Sequence, residues 1–235
     1  MSDVMILCER HLIKSTHPFY EECDKLTFLA KNLYNATLHY QRDSFFKNEF
    51  KNFYDVNRVF VHGNQKDYRA LPTRVSNQVL MLVDKSFKSY FALVKKKQSN
   101  DYSRSVRIPR YLNKTSGRCV VPYPKDALSL KNEGFVKLSK TDIVIKTKVS
   151  KKNIQAARIA PKGNHFVIEI LYKEMCKPLK SDKPKRVAFV DPGLNNLMTV
   201  TSNCFNPMIY NGKPLKSINQ LCNKDISELK SKLSE

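Results

Sequence analysis

Glycine is scarce in this chain, with six residues in 235. Neither G-x-x-x-x-G-K-S/T nor G-x-G-x-x-G occurs, so the backbone cradles that hold nucleotide phosphates are not indicated. H-E-x-x-H is absent as well. The six cysteines (Cys8, Cys23, Cys119, Cys176, Cys204, Cys222) include no C-x-x-C pair, which argues against a zinc ribbon. They are expected to be reduced, buried thiols. No apolar run approaches the ~20 residues of a membrane span. Met1 to Cys8 lack the basic and apolar regions of a signal peptide, so a cytoplasmic protein is expected. Acidic residues are outnumbered two to one: Asp+Glu 21 against Lys+Arg 42, a formal net charge of +21.

What is present fits a folded, polyanion-binding protein. The chain is 41% hydrophobic and 10% aromatic, which supports a core and argues against disorder. An excess of positive charge this large points to nucleic acid, because each neutralised phosphate releases counterions. The basic residues occur throughout the chain and not on one amphipathic helix, which disfavours a membrane surface.

The periodicity divides the chain. Residues 4–13 read as a strand. Thr16 and Pro18 then signal a helix start, with Glu21 and Glu22 suited to its first turn. Phe19, Cys23, Leu26, Ala30, Leu33 and Thr37 recur at spacings of three and four and carry that helix at least to Phe45. Tyr34, Tyr40, Phe46, Phe50, Phe53 and Tyr54 interleave with Arg42, Lys47 and Lys51, a pattern that serves either base stacking with phosphate pairing or a core with solvated lysines. A second helix is predicted over 73–97, preceded by Pro72 and capped by Thr73. Lys95, Lys96 and Lys97 at its end complement the helix dipole and are equally free to meet phosphate. Residues 98–105 read as a loop. Arg104, Arg107 and Arg110 follow on an extended stretch, either a backbone-tracking segment or an exposed loop. From Arg118 the period becomes two. Strands are predicted over 118–121, 127–130, 135–138, 143–148, 154–160 and 165–172, the last two joined by a four-residue turn, Pro161-Lys162-Gly163-Asn164. Together with the first strand they suggest a small antiparallel barrel interrupted by the helices. A basic linker, 177–185, leads to an apolar strand over 187–190 that ends on Asp191, a return strand over 198–202, a third strand over 207–210, and a helix opening at Ser217.

This last segment, Val187-Ala188-Phe189-Val190-Asp191-Pro192-Gly193-Leu194-Asn195-Asn196-Leu197 with Thr199-Val200-Thr201-Ser202-Asn203 and Asn211-Gly212-Lys213-Pro214-Leu215-Lys216, resembles the first motif of the RuvC-like nuclease domain of TnpB/OrfB proteins. These are insertion-sequence proteins related to type V CRISPR effectors. Glu9-Arg10-His11-Leu12-Ile13, Lys31-Asn32-Leu33-Tyr34-Asn35 and Arg69-Ala70-Leu71-Pro72 are similar to the family's N-terminal half. The resemblance implies an α+β fold. A wedge-type antiparallel β-barrel (residues 1–14 and 116–180) would hold a helical recognition insert (15–115), followed by an incomplete ribonuclease H-like RuvC segment (186–235).

The resemblance also implies a chemistry and its partners: guide RNA, target DNA, and Mg²⁺ for cleavage. Two-metal phosphodiester hydrolysis needs carboxylates converging from several strands, and Asp191 corresponds to the first of them. The family's second and third acids and its zinc ribbon lie further downstream than the 44 residues after Asp191. No zinc is therefore expected in this chain, and Mg²⁺ only where the nuclease site is completed. Asp225, Glu228 and Glu235 fall on the last helix and are not promoted to that role. The nucleic-acid-binding candidates are Arg10, Arg42, Lys47, Arg69, Lys95, Lys96, Lys97, Arg104, Arg107, Arg110, Lys213 and Lys216. Three functions are expected, in descending order. One is a truncated TnpB-like protein, of the group also labelled transposases, that binds RNA and DNA and has no nuclease activity of its own. The second is the front half of a split RNA-guided endonuclease completed by another chain. The third is a non-enzymatic DNA-binding repressor.

Overall fold

The computed structural model describes residues 4–99, 101–175 and 186–233, in two compact units, Met1–Lys177 and Pro178–Glu235. The basic linker expected over 177–185 lies outside the described residues, as do Cys176 and Glu235. Among the described residues no helix is long and apolar enough to cross a membrane.

The first unit begins with strand β1 (Val4–Ile13). Four helices follow, α1 (Tyr20–Phe46), α2 (Phe53–His62), α3 (Lys66–Arg69) and α4 (Thr73–Gln98), and then β2 (Val121–Pro124), β3 (Leu128–Ser129), β4 (Phe135–Leu138), β5 (Val144–Lys146), β6 (Ile154–Lys162) and β7 (His165–Met175). Helix α1 buries Cys23, Leu26, Ala30, Leu33 and Leu38, the stripe that a 3.6-residue period puts on one face. It starts at Tyr20, four residues after Thr16, and Phe19 at its N-cap gives no side-chain bond. Thr73 does not cap α4 either; Pro72 holds the N-cap position. Helix α2 was not foreseen. A capping box, with Asn52 accepting from Asp55 N and Asp55 accepting from Asn52 N, fixes its start, and it buries Val56 and Phe60.

The strands form two open antiparallel sheets, β1-β7-β6-β2 and β3-β4-β5, and no closed barrel occurs among the described residues. The expected barrel fails at β2. Pro122 and Pro124 lie in that strand, and proline has no N–H to offer a second neighbour, which confines it to a sheet edge. A single 3-10 turn, Lys125–Ala127, then leads the chain into the second sheet. The β6–β7 hairpin is also tighter than expected. Lys162 pairs with His165, so only Gly163 and Asn164 form the turn, and Gly163 has φ 58°, as a two-residue hairpin beginning with glycine requires.

One buried cluster joins these parts. Ile13 of β1, Leu26 and Leu33 of α1, Phe60 of α2, Val75 and Val79 of α4, Tyr123 of β2, Leu138 of β4, Ile159 of β6 and Ile168 of β7 all belong to it. The helices therefore pack on the sheets through a shared core. A smaller cluster, Leu38, Val83 and Phe87, extends along α1 and α4 with Phe45, Phe50, Tyr90 and Phe91 around it.

The second unit is a three-stranded antiparallel sheet, β10-β9-β8, built from β8 (Ala188–Pro192), β9 (Asn196–Ser202) and β10 (Met208–Asn211), with helix α5 (Lys213–Lys232) after it. Helix α5 starts four residues before Ser217, with Pro214 in its first turn. Val200 and Gly212 are the only buried residues among those described in this unit.

Candidate nucleic-acid interface

The structure sorts the basic residues by what each already touches. On β1, Arg10 lies opposite Glu169 of β7 and reaches its Oε1 at 3.2 Å. Arg158 of β6, on the other side, bonds the second carboxylate oxygen. Glu169 is only 4% exposed, and two guanidiniums compensate its burial. Lys47 pairs with Asp43 at 2.8 Å, one helical turn back. Arg69 donates to Asn64 Oδ1 and Val61 O and so closes the C-terminus of α2. Each of these three has a structural partner. Lys95, Lys96, Lys97, Arg104, Arg107 and Arg110 are exposed, and none is in a salt bridge among the described residues. They occupy the end of α4 and the chain just beyond it. Lys213 and Lys216 are exposed on α5 of the second unit.

The aromatic residues divide as well. Tyr34, Tyr40, Phe50 and Phe53 pack against the two core clusters, so for them the core alternative holds. Phe46 and Tyr54 are exposed.

Residues 109–118 are not a free loop. They run back along α1, which grips them with four polar side chains. Arg42 Nη1 donates to Pro109 O at 2.7 Å. Asn35 donates to Leu112 O and accepts from Leu112 N, both at 2.9 Å. Lys31 Nζ donates to Lys114 O at 2.6 Å, and Arg118 forms two 2.7 Å bonds with Asp24. Lys31 is buried, lying over the Phe28 ring at 3.8 Å. Burial, and after it the Arg118 cation, pushes its pKa down. Positions 24, 31, 35 and 42 share one helix face because steps of four and seven return to nearly the same angle. That polar line beside the apolar stripe was the available sequence signal for the strap, and the sequence reading missed it.

In the second unit, Asp191 lies near the end of β8, opposite Thr199 of β9, and is exposed. A Cβ at Gly193 would sit 2.9 Å from Asn196 O, so the turn beside Asp191 needs glycine for close approach. Asp225 and Glu228 lie on α5. Among the described residues no three His, Cys, Asp or Glu side chains gather where a metal could bind. An exposed carboxylate without such a group does not fit the multi-carboxylate clamp of two-metal chemistry, and no catalytic step through Mg²⁺ follows from this arrangement.

No protein-family model matches the chain, and no curated protein matches it in sequence. Among solved structures, a Cas12f1–sgRNA–target DNA complex is similar over 94% of this chain, with 11% identity and a TM-score of 0.32. A CRISPR-Cas12f ternary complex is similar over 90%, with 11% identity and a TM-score of 0.34. The chain spans 61% and 52% of the lengths of those two proteins.

Proposed function

We propose that this chain is a TnpB-like nucleic-acid-binding protein, taking structured RNA and DNA as partners, that does not cut DNA on its own. The observation that carries the reading is the run of six exposed cations without ion pairs, Lys95 to Arg110, on a chain of net charge +21. Phosphates supply the counter-charge that the described residues do not. That no three His, Cys, Asp or Glu side chains gather around Asp191 among the described residues supports the non-cleaving half of the reading.

Binding of structured RNA by the purified chain tests it. With six phosphates engaged, affinity falls about a thousandfold between 50 and 200 mM salt. Salt-independent binding, or none, rejects the reading. Asp191→Ala leaves RNA affinity unchanged, and no Mg²⁺-dependent cleavage is seen before or after the substitution. Cleavage by the unsubstituted chain that Asp191→Ala abolishes refutes the non-cleaving half.

A second reading, a nuclease completed by another polypeptide, is favoured by one feature. Phe189 of β8 and Ile209 of β10, which the strand register puts on one face of the sheet, are exposed, as are Leu215, Ile218 and Leu229 of α5; exposed apolar side chains of this kind mark an interaction surface. An adjacent reading frame encoding the further acids and a C-x-x-C ribbon marks this reading, and adjacent DNA without one discards it.

A further inference from the structure

Where the strap meets the end of α1, two aromatic rings lie beside one guanidinium. The Arg42 guanidinium carbon is 5.8 Å from the Phe46 ring centroid and 5.3 Å from that of Tyr111. Its bond to Pro109 O holds it there, and the Asn35–Leu112 bonds fix the backbone next to Tyr111. Phe46 is 66% and Tyr111 48% exposed, whereas Phe87 and Val83, on the neighbouring stretch of α4, are buried. Arg107 and Arg110, just before Tyr111, are exposed. The nearby Asp43 carboxylate is taken by Lys47.

We infer that Phe46, Arg42 and Tyr111 form a stacking platform for unpaired bases, with Arg107 and Arg110 meeting the phosphates of the same strand. The inference rests on the nucleic-acid-binding reading and gives it a subsite. An exposed ring beside a fixed guanidinium presents a π-face that every base can cover, and the sequence-independent energy of such sites comes from this stacking together with the backbone charge. A duplex does not fit, because its bases are already stacked on one another. Part of the ordering cost is met in advance: the strap backbone and the Arg42 guanidinium are already tied to one another and to α1, so binding does not have to order them.

The test uses the full chain and single-stranded oligonucleotides of about 12 nucleotides, within the span that such grooves cover, carrying 2-aminopurine. Ribose and deoxyribose versions identify which strand the site takes, and a duplex of equal length serves as control. Stacking quenches the 2-aminopurine fluorescence. Tyr111→Ala and Phe46→Ala each weaken single-strand binding about tenfold and relieve the quenching, leave duplex binding unchanged, and Tyr111→Phe retains both affinity and quenching. The pair Arg107→Ala with Arg110→Ala lowers the single-strand salt slope by about one to two. Single-strand binding that survives Tyr111→Ala and Phe46→Ala undiminished overturns the platform while the broader reading stands. Equal losses on single strand and duplex overturn it too. An unsubstituted chain that binds neither ligand overturns both.

Discussion

Replacing Asn35 by alanine removes both bonds that tie the middle of the strap to α1. Asn35 donates to Leu112 O and accepts from Leu112 N, each at 2.9 Å and partly shielded from water. A hydrogen bond of this kind contributes about 0.5–1.5 kcal/mol net, so the loss is about 1–3 kcal/mol. It falls on the strap and not on the helix, because alanine is a better helix former than asparagine by roughly 0.5 kcal/mol. The strap remains tethered on either side by Arg42, Lys31 and the Arg118–Asp24 pair, so the change is a local opening. Its population rises about 5- to 150-fold. Hydrogen exchange at the Leu112 amide reads this directly, since Asn35 is the acceptor that protects it, and trypsin cleavage after Arg110 and Lys114 accelerates in parallel. Asn35→Asp keeps the acceptor but sets a carboxylate oxygen against Leu112 O, so it too accelerates exchange. Unchanged exchange at Leu112 in Asn35→Ala, with α1 intact, would show that the strap is held by something other than this polar line.

Two further outcomes follow from burial. Cys23 and Cys119 are buried, and burial pushes both thiols up to about 12; at about pH 8 an aromatic disulfide reagent therefore labels exposed Cys8, Cys204 and Cys222 and reaches Cys23 and Cys119 only after denaturation, whereas native labelling of Cys119 at the rate of Cys222 would contradict the placement. Arg158→Ala leaves buried Glu169 with Arg10 alone, whose side chain is 72% exposed, and costs about 1–3 kcal/mol; adding Glu169→Ala recovers stability relative to Arg158→Ala, and a double variant less stable than the single one refutes the charge argument.

Regular elements were the legible part of this chain. The stripe from Cys23 to Thr37 gave α1, the helix expected over 73–97 formed as α4, and the strand carrying Asp191 formed with its return strand. The misses share a cause: they depend on what a segment meets and not on its own period. Pro122 and Pro124 could be seen in the sequence, but their effect depends on which neighbour β2 would have to pair with next. Helix α2 is short, and the Asn52–Asp55 cap with the Val56–Phe60 spacing of four were its only marks. For the cations the sequence carried more than was used. The Asp43–Lys47 spacing of four is an ordinary helix ion pair, and it removes Lys47 from the candidates without coordinates. Nothing comparable distinguished Arg69, which closes α2, from Arg107, which has no salt-bridge partner among the described residues.

The second unit separates what a sequence pattern specifies from what a chain achieves. Ile218, Ile226, Leu229 and Leu233 recur at helical spacing, and α5 forms. Yet α5 buries no residue, and 70% of Phe189 is open to solvent. Amphipathic periodicity records the surface a helix is suited to bury. An isolated helix of this length is marginal in water, and most helical stability comes from packing that face. In α1 and α4 the face and its cover belong to the same chain. In α5 the face is encoded, and among the described residues its cover is not. Asp191, on the sheet that precedes α5, belongs to no group of three His, Cys, Asp or Glu side chains among the described residues, whereas two-metal phosphate chemistry needs several carboxylates together. Hydrogen exchange that is slow throughout α1 and fast throughout α5 in the isolated chain is the expected consequence. Equal protection in the two helices would mean that α5 is stabilised by packing that its exposure does not reveal.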